Sequence, residues 1–253
     1  MNFFSLFKRK LIYKFKTKTL IDTQNFQDKS LDELLNFYGS DKANIFSKKN
    51  IKGHGFSKFY TKHLDKFKND QLNILEIGSF AGASAAAFVK YFPNSNVFCF
   101  DVNISNFEYL SKKIHVYGID INNEKKVEEA IKNIFLQNKF KNFDLIVDDG
   151  SHNLSDILFS LNFFFKFLKD KGLYVIEDYK YPNYFEYNRN TDDILIDKLL
   201  DNLKKKNFFK SKFFTKNDQI NLMNLIDKIY TYRGNLQESD ICFIKKNYIK
   251  FFS

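Results

Sequence analysis

From residue 72 onward the chain alternates short apolar runs with stretches of helical periodicity, and that alternation limits the fold more than any other feature. The runs are Leu72–Ile77, Val97–Phe100, Ile114–Tyr117, Phe143–Val147 and Leu173–Ile176. Helices are predicted between them at about 83–91, 123–137 and 154–168, with another at about 192–205. Nearly continuous apolar strands separated by helices mark βα units and a parallel sheet buried on both faces. Leu154, Ile157, Leu158, Leu161, Phe165 and Leu168 share one helical face, and Gly172 is placed to stop that helix. The C-terminal part differs: Lys228–Tyr232, a turn around Gly234-Asn235, and Asp240–Lys246 lie close enough in sequence to pair antiparallel.

The formal charge of +10 suggests a nucleic-acid partner, but its distribution argues against one. Residues 1–20 hold six of the 40 basic residues (Lys8, Arg9, Lys10, Lys14, Lys16, Lys18) and none of the 30 acids, leaving 34 against 30 and a body of only +4. A protein that tracks RNA or DNA spreads its excess along a groove of the folded domain. Phe3, Phe4, Leu6, Phe7, Leu11, Ile12 and Phe15 are interleaved with those bases. Residues 1–27 therefore read either as a basic amphipathic helix suited to an anionic membrane surface or as a frayed tail. They lack the order of charge, apolar stretch and small-residue cleavage site of a signal peptide. Residues 28–70 read as a helical cap, with Leu31, Leu34, Leu35 and Tyr38 at helix spacing before Gly39, and 71–253 as the main domain. Cys99 and Cys242 stand alone in apolar runs and read as buried small hydrophobes of a reducing compartment.

The first strand ends in Leu75-Glu76-Ile77-Gly78-Ser79-Phe80-Ala81-Gly82, followed by the small-residue helix start Ala83-Ser84-Ala85-Ala86-Ala87. Glycines there let the backbone turn sharply and approach a nucleotide-like ligand at a helix N-terminus. The spacing Gly-x-x-x-Gly differs from the Gly-x-Gly-x-x-Gly that holds a pyrophosphate, and suits the amino-acid portion of S-adenosylmethionine, which has none. Asp101 ends the second strand, 23 residues after Gly78, where a carboxylate accepts hydrogen bonds from ribose hydroxyls. Asp120 follows the third strand and is placed toward the adenine. Glu76, Gly78, Ser79, Gly82, Asp101, Asp120 and Asp148 form the expected cofactor set.

Two further strand ends carry acids: Asp144-Leu145-Ile146-Val147-Asp148-Asp149-Gly150-Ser151-His152 and Leu173-Tyr174-Val175-Ile176-Glu177-Asp178. Neighbouring strands lie about 4.8 Å apart, so Asp149, Glu177 and Asp178 are able to converge. Three converging carboxylates repel unless protonated or holding a cation, and an all-oxygen set selects Mg²⁺ or Mn²⁺. His152, three residues beyond Asp149, is the expected base. Asp149 and Ser151 are equally suited to capping the next helix, and Lys42 and His54 to an ordinary surface loop.

With these motifs the sequence resembles a class I S-adenosylmethionine-dependent methyltransferase. Within that fold it is similar to the metal-dependent O-methyltransferases of macrolide deoxysugars, a group sharing motifs with the cephalosporin-hydroxylase-like family. Glu76-Ile77-Gly78, Asp101, Asp148-Asp149-Gly150-Ser151-His152, Glu177-Asp178 and the upstream Tyr38-Gly39-Ser40-Asp41-Lys42 carry the resemblance, over about residues 36–180. It implies a Rossmann-like seven-stranded sheet in the order 3-2-1-4-5-7-6 with the last strand antiparallel, metal ligation by Asp149, Glu177 and Asp178, and His152 as base. Lys42 and His54, the latter in Gly53-His54-Gly55, are together with Tyr38 candidate substrate or lid residues. Lys171-Gly172 departs from a usual Gly-Gly pair, and residues 179–225 match nothing in the pattern.

The expected activity is Mg²⁺-assisted methylation of a sugar or glycoside hydroxyl by a cytoplasmic protein, peripheral at the inner face of the membrane if residues 1–20 bind it. The competing readings are a catechol-like O-methyltransferase, a nucleic-acid methyltransferase recruited by the basic start, and a non-catalytic cofactor-binding scaffold.

Overall fold

The computed structural model describes residues 3–26 and 28–248; the side chain of Phe3 falls outside it, as do residues 1, 2 and 27 of the N-terminal segment. Seven strands form one sheet: β1 (Asn73–Ile77), β2 (Asn96–Asp101), β3 (Ile114–Gly118), β4 (Phe143–Asp148), β5 (Leu168–Ile176), β6 (Ile226–Arg233) and β7 (Asp240–Lys246). Their spatial order is 3-2-1-4-5-7-6, and β7 runs antiparallel to both β5 and β6 while the other pairings are parallel. The predicted order and the reversed last strand are both present.

Helices cover both faces. Helices α1 (Phe3–Phe15), α2 (Leu31–Tyr38), α3 (Ser57–Leu64) and α4 (Ala83–Tyr91) precede β2. The later helices are α5 (Glu124–Asn138), α6 (Leu154–Phe164), α7 (Ile196–Lys205) and α8 (Lys216–Leu225). Alternation along β1 sends Leu75 and Ile77 into the core beneath α5–α8, whereas Ile74 enters the core under α2–α4. Glu76 shares the parity of Ile74 and is fully buried on that second face. Both cysteines are free and buried, as expected.

The 28–68 region is less helical than its periodicity suggests. Ser30 and Glu33 form a capping box at the start of α2, Gly39 closes it in the left-handed region (φ 76°), and an irregular loop with a short hairpin separates it from α3. Gly172 does not stop a helix. Helix α6 ends at Phe164, a 3₁₀ turn covers Phe165–Phe167, and Gly172 lies inside β5. A Cβ there would stand 2.8 Å from the Lys169 carbonyl oxygen and 2.9 Å from that of Asp144, so the glycine answers a close backbone approach at an irregular register. The unbroken apolar sequence from Phe163 to Leu168 conceals the change of element.

Candidate active site

Register brings the site together. Ile77 of β1 lies beside Asp148 of β4, which lies beside Ile176 of β5. The residues just beyond these strands therefore emerge side by side, with the Asp149 amide donating to the Ile77 carbonyl (2.9 Å) and the Glu177 amide to that of Asp148 (3.0 Å). Such a crevice at the carboxyl ends of parallel strands is where open α/β sheets bind ligands.

The glycine turn forms one wall. Gly78 has φ 84°, and a Cβ on it would stand 2.0 Å from the Asp149 carbonyl oxygen, so a side chain is excluded by conformation and by space. Gly82, also left-handed at φ 78°, caps α4 over the buried ring of Phe107. Between them Phe80 takes φ 43° and its amide donates to Asp101 Oδ2 at 2.8 Å, while Asp101 Oδ1 accepts from the Asn103 amide at 2.5 Å. The wall opens on a cleft of about 620 Å³, whose lining includes Gly78, Ser79, Asp101, Asp120, Asp149 and His152.

Two members of the expected cofactor set lie behind this wall. Glu76 accepts from Ser84 Oγ at 2.5 Å, its other oxygen is buried with no hydrogen bond, and burial raises its pKa. Asp148 accepts from the Gly150 amide (3.3 Å) and the Tyr174 hydroxyl (3.5 Å), and burial pushes its pKa up to about 7.

On the acidic side, Lys42 is only 2% exposed, and its ammonium donates to Asp149 Oδ2 and, at 2.8 Å, to Glu177 Oε2. The Tyr60 hydroxyl donates to the other Glu177 oxygen at 2.5 Å. Burial alone would lower the pKa of Lys42, but Asp149 and Glu177 hold it well above its ordinary value. Burial likewise raises the Glu177 carboxyl, against the pull of Lys42.

Ligating atoms of Asp149, His152 and Asp178 lie within 4.8 Å of one another. His152 Nε2 is 3.7 Å from Asp149 Oδ1. Asp178 Oδ1 is buried without a hydrogen bond, and His54 Nδ1 stands 3.3 Å away while engaged with Ser239 Oγ at 2.9 Å. Burial opposes protonation of His54, yet Asp178 outweighs it and raises the imidazole pKa to about 9. The Asp149 and Asp178 carboxylates at this spacing, with one Asp178 oxygen buried outside any hydrogen bond, fit a divalent cation, and His152 stands beside them. Glu177 is not among these three, and both its oxygens accept hydrogen bonds, from Lys42 and Tyr60. His152 (φ 56°) and Asp178 (φ 51°) hold backbone conformations costly for non-glycine residues, of the kind that gathers at functional sites.

Among known proteins, no protein-family model matches the sequence. Mycinamicin VI 2''-O-methyltransferase of Micromonospora griseorubida is 27% identical over 133 residues, 49% of this chain and 31% of that protein. L-olivosyl-oleandolide 3-O-methyltransferase of Streptomyces antibioticus is 29% identical over 171 residues, 64% of this chain and 40% of that protein. The matched stretches thus span about a third of these relatives' lengths. Among solved structures, the MycE methyltransferase in complex with Mg, SAH and mycinamycin VI superimposes with a TM-score of 0.62 at 19% identity, over 90% of this chain and 57% of that one.

The chain is similar to the macrolide-sugar O-methyltransferases.

Its fold is that of the class I methyltransferases, and the expected glycine turn, Asp101 and Asp120 all border the cleft. Of the three candidate substrate or lid residues, Lys42 lines the cleft and His54 stands behind Asp178. Tyr38 lies in the core beneath, its hydroxyl donating to Gln24 at 2.8 Å. Sequence reasoning missed Tyr60, and it offered Lys42 as a substrate or lid residue or an ordinary loop residue, not as the buried partner of Asp149 and Glu177. Tyr60 carries no motif; its phase on α3, three residues after Ser57 and four before Leu64, marks it only as core.

Proposed function

We propose that this chain is an S-adenosylmethionine-dependent, Mg²⁺- or Mn²⁺-assisted O-methyltransferase acting on a hydroxyl of a sugar or glycoside. One observation carries this reading: Gly78 of the glycine turn packs on the backbone of Asp149, so the cofactor wall and the acidic cluster share a boundary. A methyl donor along the turn would face an acceptor held at the acids. The macrolide-glycoside substrates in the relatives' names support a sugar or glycoside acceptor.

In this reading the Gly78–Gly82 turn receives the amino-acid end of the cofactor, Asp101 the ribose hydroxyls, and Asp120 faces the adenine. Ser79 lines the cleft with the turn, and Glu76 and Asp148 brace it from behind. Asp149 and Asp178 would hold the cation; Glu177 is tied by Lys42 and Tyr60 and backs Asp149. A bound divalent cation supplies Lewis acidity that lowers the pKa of an acceptor hydroxyl and helps orient it. His152, beside Asp149 and edged by the Tyr181 ring (centroids 4.8 Å apart), takes the acceptor's proton. Methyl transfer develops little charge that dipoles could stabilise, so positioning is the main contribution left to these residues.

We assign the chain to the cytoplasm, with attachment at the inner face of the membrane depending on the exposed side of α1. The test of the reaction is turnover of a panel of deoxysugar glycosides with S-adenosylmethionine, with and without EDTA. Methylation that stops in EDTA and returns with Mg²⁺, while calorimetric S-adenosylhomocysteine binding persists, is the expected result. Full turnover in EDTA, or no cofactor binding at all, would overturn the assignment.

A further inference from the structure

Helix α1 is docked to the domain by one side. Arg9 donates to the Val102 carbonyl at 3.0 Å, and Lys16 to the carbonyls of Ser105 (3.3 Å) and Asn106 (2.9 Å). Tyr13 meets the buried Phe107 edge-on with ring centroids 6.3 Å apart. The frayed-tail reading of this segment therefore does not hold for Phe3–Phe15.

The opposite side is apolar and open: Phe7 is 53% exposed, Leu11 41%, Ile12 45% and Phe15 79%. Positions 7, 11 and 15 form one stripe along the helix, with Ile12 beside it. Lys8 and Lys14 are exposed beside it, whereas Lys10 lies against Gly118 of the domain, and no acid occurs before Asp22. Large aromatic residues set among cations on the outside of a helix fit an interface that is greasy beneath and negatively charged at its surface. A second copy of α1 would set these lysines against identical lysines, which disfavours self-association. No helix among the described residues is long and apolar enough to cross a membrane.

We propose that α1 seats the protein on an anionic lipid surface, with Phe7, Leu11, Ile12 and Phe15 entering the headgroup layer and Lys8 and Lys14 pairing with lipid phosphates. The contacts to residues 102–107 fix the geometry of that docking. These residues follow Asp101 directly, and Phe107 underlies Gly82, so the lipid surface would lie beside the cofactor end of the cleft. The docking stands independently of the reaction assigned above.

Deleting residues 1–27 would also remove supports of the 102–107 turn, so the test uses point variants of the full chain. The wild-type protein should co-sediment at low salt with vesicles of phosphatidylcholine and phosphatidylglycerol, stay in the supernatant with pure phosphatidylcholine, and release at high salt. Each lysine near such a surface contributes about a fivefold gain in partitioning, so Lys8→Gln with Lys14→Gln should weaken it roughly 30-fold. Phe7→Ser with Phe15→Ser should abolish sedimentation at every salt concentration. Melting curves matching wild type will show that each variant is folded. Wild-type protein that ignores anionic vesicles, or folded variants that sediment like wild type, would overturn the proposal. So would analytical ultracentrifugation showing that the face pairs two copies of the chain and that lipid does not compete.

Discussion

The glycine-turn end of the cleft is made almost entirely within one βαβ unit, whereas its acidic end is assembled from segments up to 135 positions apart. Backbone makes the first end: Gly78, Phe80 and Gly82 turn in the left-handed region, and Asp101, 21 residues from Phe80, ties the turn down. Side chains make the second: Lys42 and Tyr60 arrive from the region before the sheet, Asp149 from β4, and Glu177 and Asp178 from β5. A site made of backbone depends on what cannot be added to it. A site made of buried charges depends on what cannot be taken away.

The sharpest way to separate the two ends is His152. Its φ of 56° disfavours alanine, so His152→Asn, which tolerates that conformation, is the cleaner variant. Positioned proton transfer contributes roughly 10²–10⁴-fold, and kcat should fall by about that factor while S-adenosylhomocysteine affinity stays the same. Manganese affinity decides whether the imidazole is a base or a ligand. An affinity that falls in step with kcat would move His152 into the metal set and leave the reaction without a base at this position.

Lys42→Met should produce the next largest effect, on stability rather than on the cofactor. Removing one partner of a buried ion pair leaves a charge uncompensated, at a cost of about 3–5 kcal/mol. Because burial already raises Glu177 and lets it take up a proton, the lower end, about 3 kcal/mol, is expected from urea unfolding. Adding Glu177→Gln should recover part of this loss, since it removes the acid that Lys42 neutralises. A Lys42→Met protein as stable as wild type would mean that the acidic end is not held together by this contact.

At the other end, Asp101→Ala removes charged acceptors facing the cleft. Hydrogen bonds to a charged group contribute about 1.5–3 kcal/mol, so S-adenosylhomocysteine affinity should fall roughly 10- to 100-fold by calorimetry. Manganese binding should not change. A loss shared equally by cofactor and metal would show that the two ends are one cooperative unit and would remove the contrast drawn here.

The same contrast explains what could be read in advance. The alternating strands and helices, the terminal antiparallel hairpin and the glycine turn follow from local periodicity and from residue types at fixed short offsets, such as Gly78 to Gly82 and the strand-final Asp101, whereas the strand order comes from the family resemblance. The acids at 148–149 and 177–178 were visible for the same reason, as polar residues ending apolar strands. Their pairing was not. Nothing near Lys42 or Tyr60 in sequence indicates that Glu177, more than a hundred positions away, will occupy them. Glu177 reads from sequence as a third oxygen for a cation, and what sequence does not show is that it is also a buried partner of a lysine and a tyrosine. The boundary of α6 was lost differently, because Phe163–Leu168 is apolar throughout and offers no periodicity with which to tell helix, 3₁₀ turn and strand apart.

The smallest expected effect tests whether the strained backbone at the site is special. Lys171 also has a positive φ, 63°, but it is exposed, lies at the irregular register of β5 and borders no cleft residue. A lysine thus occupies a left-handed position here, where the resembled family's pattern has a glycine. A non-glycine residue there costs about 1–2 kcal/mol. Glycine would relieve this but gain freedom in the unfolded chain, and would give up the weak contact of the ammonium with the Tyr248 ring, 5.4 Å away. Lys171→Gly should therefore stabilise by about 0.5 kcal/mol, raising Tm by roughly 1–2 °C with activity unchanged. His152→Gly and Asp178→Gly relieve the same backbone strain, and under the present reading both should lose activity despite it. If Lys171→Gly lowered turnover as they do, the strain in β5 would belong to the mechanism as well, and the division between a functional end and an indifferent scaffold would have to be redrawn.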